Sequence, residues 1–152
     1  MKLFNHTRKK SWSSKLKRDM ELLLIMLMNL KEIIGRTRFQ KIVFLLEQKF
    51  GVAFSYNFTP YYYGPYSSDL QHEINLLSLM GFVDISHSHG VPYTHRLTER
   101  GILAAKSIEE QYRKDHEVLH LISSIGYFKG KPTYILINEA KKLMKYPEIL
   151  TK

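Results

Sequence analysis

The stretch from Phe58 to Leu79 constrains the fold more than any other part of this chain, because it joins a forced turn to a helix start. Pro65 fixes its own φ and disfavours helical backbone at the preceding Gly64, so the chain has to turn there. Ser67 or Ser68 follows at once as a candidate N-cap. The stretch therefore predicts a turn that leads directly into a helix.

This helix is predicted to have two different faces. Apolar residues recur along it at three- and four-residue spacing, which indicates a face packed on a core. They are Leu70, Ile74, Leu77 and Met80. Ser68 and Gln71 have the spacing of a capping box. The opposite face is polar and free to meet a ligand, with Gln71, His72, Asn75 and Ser78 on it.

Periodicity in the rest of the chain predicts a mostly helical protein with a small β component. Further helices are expected over residues 18–34, 37–50, 99–114, 116–125 and 131–145. Residues 82–86 and 91–97 flank a polar tip and predict a hairpin. Gln40 lies in the apolar second helix, and we expect its amide to be buried and bonded to the backbone of the turn.

The order helix, helix, capped helix, hairpin and helix is that of a winged helix-turn-helix domain. The predicted fold class is therefore α+β, mostly α, with a two-stranded wing and additional C-terminal helices. Three segments are expected: a basic arm over residues 1–17, the winged-helix domain over residues 18–114, and C-terminal helices over residues 115–152. These last helices either pack on the domain or form the interface of a homodimer.

The net charge of +9 is concentrated at the two ends of the chain. Residues 1–18 carry seven cations and no acid, and residues 129–152 carry six cations and two acids, whereas the remainder is slightly acidic. A basic arm attracts nucleic acid phosphates, but it is equally typical of a solvated tail. Both interpretations stay open at this point.

Several classes of protein are not supported by the composition. The chain has no cysteine, which is typical of an intracellular protein. Its most apolar run, Leu22 to Leu30, is too short to cross a bilayer. The cationic start is followed by polar residues rather than by the apolar segment of a secretory signal. We therefore expect a cytoplasmic protein without membrane contact.

No catalytic motif is present, since the sequence has no nucleophile elbow, phosphate loop or paired-acid pattern. Two histidine pairs have spacings that could chelate a metal, namely His87 with His89 and His116 with His120. Neither pair has the carboxylate or thiolate companions of a recognisable site. We expect no enzymatic activity, no cofactor and no metal.

Three motifs carry a resemblance to known families: RTRFQKIVFLL at residues 36–46, YYGPYS at residues 62–67 and GFV at residues 81–83. In this order they resemble the YwgA-like group of small prokaryotic proteins and, more distantly, the Panacea (SocA-like) antitoxin domain. The likeness covers about residues 20–100. The first group implies a winged-helix fold without an established activity, and the second implies a domain that binds and neutralises a partner protein.

The leading hypothesis is a transcriptional regulator that binds double-stranded DNA as a dimer, with the helix after the turn in the major groove. The candidate DNA contacts are Arg36, Arg38, Lys41, Ser67, Ser68, Gln71, His72, Asn75, His87, His89 and Arg96. The helix carries Asp69 and Glu73 but no cation, so the positive charge has to come from elsewhere. We expect Arg36, Arg38 and Lys41 to lie mostly on the outside of the second helix.

The alternative is a protein-interaction module, such as an antitoxin, that uses the same fold. Its contact surface would be the tyrosine-rich turn and the acidic helix, with Tyr61, Tyr62, Asp69 and Glu73 as candidates. Tyr63 and Tyr66 are expected to pack the turn against the second helix. Charge separates the two hypotheses, because a DNA-binding protein should gather its arginines on the side of Ser67 and Gln71.

Overall fold

The computed structural model describes residues 16–90 and 92–145, so the predicted basic arm lies almost wholly outside the described residues. In chain order the described elements are α1 (Arg18–Leu30), β1 (Glu32–Ile34), α2 (Arg36–Gln48), α3 (Ser68–Leu79), β2 (Val83–Ser86), β3 (Thr94–Leu97), α4 (Glu99–Gln111), α5 (His116–Ile125), a short 3-10 helix (Gly126–Phe128) and α6 (Thr133–Met144). The predicted α+β, mostly helical class is confirmed.

Helix α1 forms the centre of the core. Its six consecutive residues from Leu22 to Leu27 are fully buried, because α4 and α5 pack against different faces of the helix. A helix that is apolar all round has to be covered on all sides. Within the described ranges, no helix is long and apolar enough to cross a membrane.

The first helix was predicted to run to Ile34, and this prediction was wrong beyond Leu30. Lys31 has a positive φ of 71°, which ends the helix, and Glu32–Ile34 forms strand β1. β1 pairs antiparallel with β3, so that Ile33 is opposite His95. The sheet consequently has three strands in the order β1-β3-β2 rather than two.

The predicted hairpin is confirmed as β2 and β3, which pair from Val83 with Leu97 to Ser86 with Thr94. Thr98 then begins α4 as its N-cap, because its hydroxyl accepts a hydrogen bond from the N–H of Gly101 at 3.0 Å. The same hydroxyl donates to the carbonyl of Gly81 at 2.6 Å. The cap therefore ties the start of α4 to the end of α3.

The C-terminal helices belong to the same core as the rest of the chain. α5 packs against α1, and α6 packs against α2. Their buried residues are Val118, Leu121, Ser124, Ile125, Leu136 and Ala140. An ion pair of 2.9 Å between Arg18 and Asp115 also joins α1 to the start of α5.

Candidate functional site

The segment before the Gly-Pro turn is extended and fixed to the core by alternate residues. Val52, Phe54 and Tyr56 are buried, whereas the residues between them are exposed. The segment forms no regular strand, although the alternation is that of extended backbone. The buried side chains therefore fix the position at which the chain enters the turn.

Residues 59–66 form a closed turn, which we call the tyrosine turn. Thr59 and Tyr66 pair through two backbone hydrogen bonds of 2.8 and 2.9 Å, which close the base of the turn. Gly64 has a φ of 104°, a conformation that favours glycine. The turn is therefore a compact structure with its own hydrogen bonds.

Two neighbouring residues of α2 anchor the tyrosine turn. The side-chain amide of Gln40 exchanges two hydrogen bonds with the backbone of Ser67, which confirms the predicted buried amide. The ammonium group of Lys41 donates to the carbonyl of Pro65 at 2.9 Å. Lys41 is only 3% exposed, so the expectation that it lies outside was wrong. Its long side chain runs under the turn because the Pro65 carbonyl needs a donor there.

The tyrosine turn presents three consecutive aromatic rings to solvent. Tyr61, Tyr62 and Tyr63 are 58%, 70% and 68% exposed, respectively. Tyr66 is half-buried, and its ring lies 5.6 Å from that of Tyr61. Tyr63 was expected to pack against α2, and this was wrong because most of its surface is exposed to solvent.

A cleft of about 220 Å³ lies between the first turns of α2 and the tyrosine turn. It is lined by Arg36, Thr37, Gln40, Lys41, Tyr61, Tyr63, Gly64, Tyr66 and Gln71. Three elements contribute to it, since Gln71 comes from α3. The cleft thus brings together residues that the sequence separates by up to 35 positions, from Arg36 to Gln71.

The electrostatics of the cleft favour an anion. Burial, together with the smaller effect of the nearby charge of Lys141, lowers the pKa of the Lys41 ammonium to about 8. Arg36 lies at the first position of α2, whose first turn has no acidic residue and no side-chain cap. The positive end of the helix dipole is consequently not compensated there.

Arg36 also connects the cleft to the hairpin. Its guanidinium lies 3.8 Å from the centre of the Tyr93 ring, a cation–π contact. The ring of His87 lies 4.5 Å from the same tyrosine. Arg36 and His87, both proposed as DNA contacts, are therefore brought together through Tyr93, which the sequence did not single out as a contact. His89 is exposed on the hairpin tip.

Helix α3 begins with Ser67 as its N-cap, whose hydroxyl accepts from the N–H of Leu70 at 3.2 Å. The capping box predicted from Ser68 was therefore wrong, since the cap lies one residue earlier. Ser67 itself is buried. The exposed side chains of the helix are Ser68, Asp69, His72, Asn75 and Leu79, with Gln71 partly exposed and 3.3 Å from Asn75.

Glu73 is not part of the exposed face of α3, although it was a candidate for partner contact. Its carboxylate is buried and accepts a hydrogen bond of 2.7 Å from the hydroxyl of Tyr56. Burial and this carboxylate raise the pKa of the Tyr56 phenol. Glu73 therefore holds the extended segment through Tyr56.

The remaining arginines proposed as DNA contacts are engaged elsewhere. Arg38 donates to the carbonyls of Phe128 and Lys131 at 2.9 and 2.6 Å, which ties α2 to the loop before α6. Burial lowers the pKa of its guanidinium. Arg96 pairs with Glu32 across β3 and β1 at 2.9 Å. The four cations proposed as DNA contacts are Arg36, Arg38, Lys41 and Arg96. Among them, only Arg36 both lines the cleft with Gln71 and is exposed.

The histidine pairs gain no further ligands in the described ranges. The Nε2 atom of His120 forms a hydrogen bond with the carbonyl of Phe50, which connects α5 to the start of the segment that follows α2. Across residues 16–90 and 92–145, no three histidine, cysteine, aspartate or glutamate side chains are grouped so that they could hold a metal ion.

Comparison with known proteins gives no relative for this chain: no family model, no curated protein and no solved structure matches it. The resemblance to the YwgA-like group thus stays an expectation. Sequence reasoning missed Thr37 and Gly64 as cleft residues. The only signal for Gly64 was its place before Pro65, which marked a turn without showing that α2 would lie against it.

Proposed function

We propose that this protein is a winged-helix domain that binds a partner protein through its tyrosine turn. The order of α1, β1, α2, α3, β2 and β3, together with the antiparallel sheet, supports the winged-helix assignment. The surface next to α3 supports the function, since a fold alone does not define one.

The observation that carries the proposal is the exposure of Tyr61, Tyr62 and Tyr63 on an anchored turn. Tyrosine is enriched at the energetic centres of protein interfaces, because its ring offers a large contact area and its hydroxyl a hydrogen bond. A turn held by Gln40 and Lys41 loses little conformational entropy when a partner binds. Exposed rings on a rigid support are suited to recognition.

Around α3, the charges of the described residues favour a protein partner over DNA. A DNA-binding surface needs several cations to contact phosphates. Here Lys41 is buried, Arg38 is bonded to carbonyl oxygens and Arg96 is paired with Glu32. Helix α3 adds Asp69 and no cation.

Site-specific photocrosslinking tests this proposal. A benzoylphenylalanine placed at Tyr62 should form a discrete adduct with one protein in the source cells, identified by mass spectrometry. Tyr134 is the matched control, since it is 65% exposed but lies on α6. Adding Tyr61→Ala and Tyr63→Ala should abolish the adduct. The same adducts from both positions, or adducts insensitive to these substitutions, would contradict the proposal.

A second candidate function is binding to double-stranded DNA as a dimeric regulator, favoured by the exposed polar face of α3. Ser68, His72 and Asn75 lie on that face without burial. The test is binding to random-sequence duplex across a salt series, with the intact chain and with a chain lacking residues 1–15, which keeps the buried Leu16. A salt slope that survives truncation, and falls with Arg36→Gln, supports this candidate. Complete loss on truncation attributes the binding to the arm alone.

A further inference from the structure

The size of the cleft beside the tyrosine turn limits what it can hold. Its volume of about 220 Å³ lies below the roughly 300–1,000 Å³ of pockets for cofactors and drug-sized ligands. It opens directly next to Tyr61 and Tyr63, which also belong to the proposed partner surface. The cleft therefore suits one side chain of a bound protein.

The lining of the cleft is cationic and aromatic. Arg36 and Lys41 are its two charged residues, and none of its described lining residues is acidic. Gln71 adds an amide donor at the rim. No acidic residue among the described ones forms an ion pair with Arg36 or Lys41. Positive groups in this situation favour a ligand with a negative charge, especially where burial weakens the competition from water.

Resting on the proposed function, we infer that the cleft binds a carboxylate side chain of the partner protein, an aspartate or glutamate that points between Arg36 and the tyrosine rings. Residues beside this acid pack on Tyr61, Tyr62 and Tyr63. The carboxylate accepts hydrogen bonds from the guanidinium of Arg36, a residue that is exposed and lines the cleft.

A lone carboxylate fits this surface better than a DNA backbone does. Duplex DNA presents a row of phosphates, and the affinity for it depends on several cations that contact them. Arg38 and Arg96 are engaged in other contacts, and Asp69 lies in the first turn of α3. One anionic group is satisfied by the cleft, whereas a row of them is not.

The test uses the intact chain and a phage-displayed library of random twelve-residue peptides. Selected peptides should contain an aspartate or glutamate, and changing that acid to its amide in a synthetic peptide should weaken binding about tenfold or more. Arg36→Gln in the protein should weaken binding of the unchanged peptide by a similar factor. The two changes together should weaken binding no more than either alone, because both remove the same contact.

A matched control separates the cleft from general attraction to a basic protein. Lys106→Gln removes one exposed charge from α4 and should change peptide affinity less than twofold. Equal losses for Arg36→Gln and Lys106→Gln overturn the inference.

The remaining outcomes distinguish the inference from the proposed function. Suppose that binding of the selected peptides requires the exposed tyrosines but is unaffected when the acid of the peptide is changed. This result overturns the inferred carboxylate site and leaves the proposed function standing. Peptides that tolerate Tyr61→Ala, Tyr62→Ala and Tyr63→Ala together overturn the proposed function, and so does a library that enriches no peptide. If Arg36→Gln weakens duplex DNA binding and leaves peptides unaffected, the cleft takes a backbone phosphate and the inference fails.

Discussion

Gln40 and Ser67 hold each other through two hydrogen bonds between the middle of α2 and the start of α3. The Gln40 Nε2 atom donates to the Ser67 carbonyl at 2.9 Å, and the Ser67 N–H donates to Gln40 Oε1 at 2.8 Å. Both residues are buried. One side-chain amide thus satisfies both backbone groups of the residue that caps α3.

Replacing this amide should destabilise the protein strongly. Gln40→Met keeps the size of the side chain but leaves the buried N–H of Ser67 without a partner. The Ser67 carbonyl loses one of its two donors and keeps the N–H of Gln71 at 3.2 Å. An unpaired buried N–H costs about 1–3 kcal/mol and a lost hydrogen bond about 1 kcal/mol, so we expect the free energy of unfolding to fall by about 2–4 kcal/mol. Urea denaturation followed by far-ultraviolet circular dichroism measures this change.

Gln48→Met is the matched control, because Gln48 lies on the same helix and is exposed. We expect it to change the free energy of unfolding by no more than about 0.5 kcal/mol. If the two variants lose the same stability, the double hydrogen bond of Gln40 has no special role.

The contact between Gly64 and Lys41 gives a second prediction. A Cβ atom on Gly64 would lie 2.4 Å from the Cε atom of Lys41, and φ at this residue is 104°. Gly64→Ala should therefore combine backbone strain with displacement of the lysine, and cost about 2–3 kcal/mol of unfolding free energy in urea titration.

Gly130→Ala separates these two costs. Gly130 also has a positive φ of 78°, but a Cβ atom there would meet nothing within 4 Å. It should lose only about 1 kcal/mol, from strain alone. A similar loss in both variants would show that Lys41 moves aside freely. In that case the cleft is more adaptable than the structure indicates.

Sequence reasoning predicted the parts of the site that obey local rules. Gln40 was identifiable because an amide within an apolar helix has to find a partner, and the nearby turn offers backbone groups. The choice between Ser67 and Ser68 as N-cap was not decidable from spacing. It depends on Gln40, which holds the backbone of Ser67 in place.

Other parts depended on contacts between distant residues. Ile33 and Ile34 fit the periodicity of α1, yet they form a strand because β3 pairs with them. The carbonyl of Ile33 also forms a hydrogen bond with the Nδ1 atom of His95, which lies 62 positions away in the sequence. Lys41 was placed outside because lysine is seldom buried. Its burial depends on the Pro65 carbonyl, whose position follows only from the folded turn.

Close packing between α4 and the hairpin gives a third prediction. A Cβ atom on Gly101 would lie 1.9 Å from the carbonyl oxygen of Phe82, a distance that no rotamer change relieves. Gly101→Ala should cost at least about 2–3 kcal/mol of unfolding free energy, since backbone has to move.

Gly126→Ala is the control for Gly101→Ala, because a Cβ atom there meets nothing within 4 Å and φ is −57°. Chemical denaturation should show that variant to be as stable as the parent or more so; equal effects would contradict the packing argument.

Glu47 gives a prediction about pH. Burial raises the pKa of its carboxyl to about 7, and the carboxylate of Asp19 acts in the same direction. Its Oε2 atom is buried and has no hydrogen-bond partner within the described ranges. The folded protein therefore holds a proton on Glu47 that the unfolded chain releases near pH 4.5. The contribution of Glu47 to stability is fully present below about pH 4.5 and is lost as the pH rises through about 7.

Glu47→Gln removes this titration and keeps the shape of the side chain. Its free energy of unfolding should exceed that of the parent at pH 8, where the parent has a buried charge, and the difference should disappear near pH 4.5. Since all other titrating groups are shared, the difference between the two pH profiles reports on Glu47 alone. Glu110→Gln is the control, because Glu110 is exposed and should give a nearly constant offset over this range. A difference for Glu47→Gln that is independent of pH between 4.5 and 8 would mean that Glu47 is ionised and solvated in the folded protein.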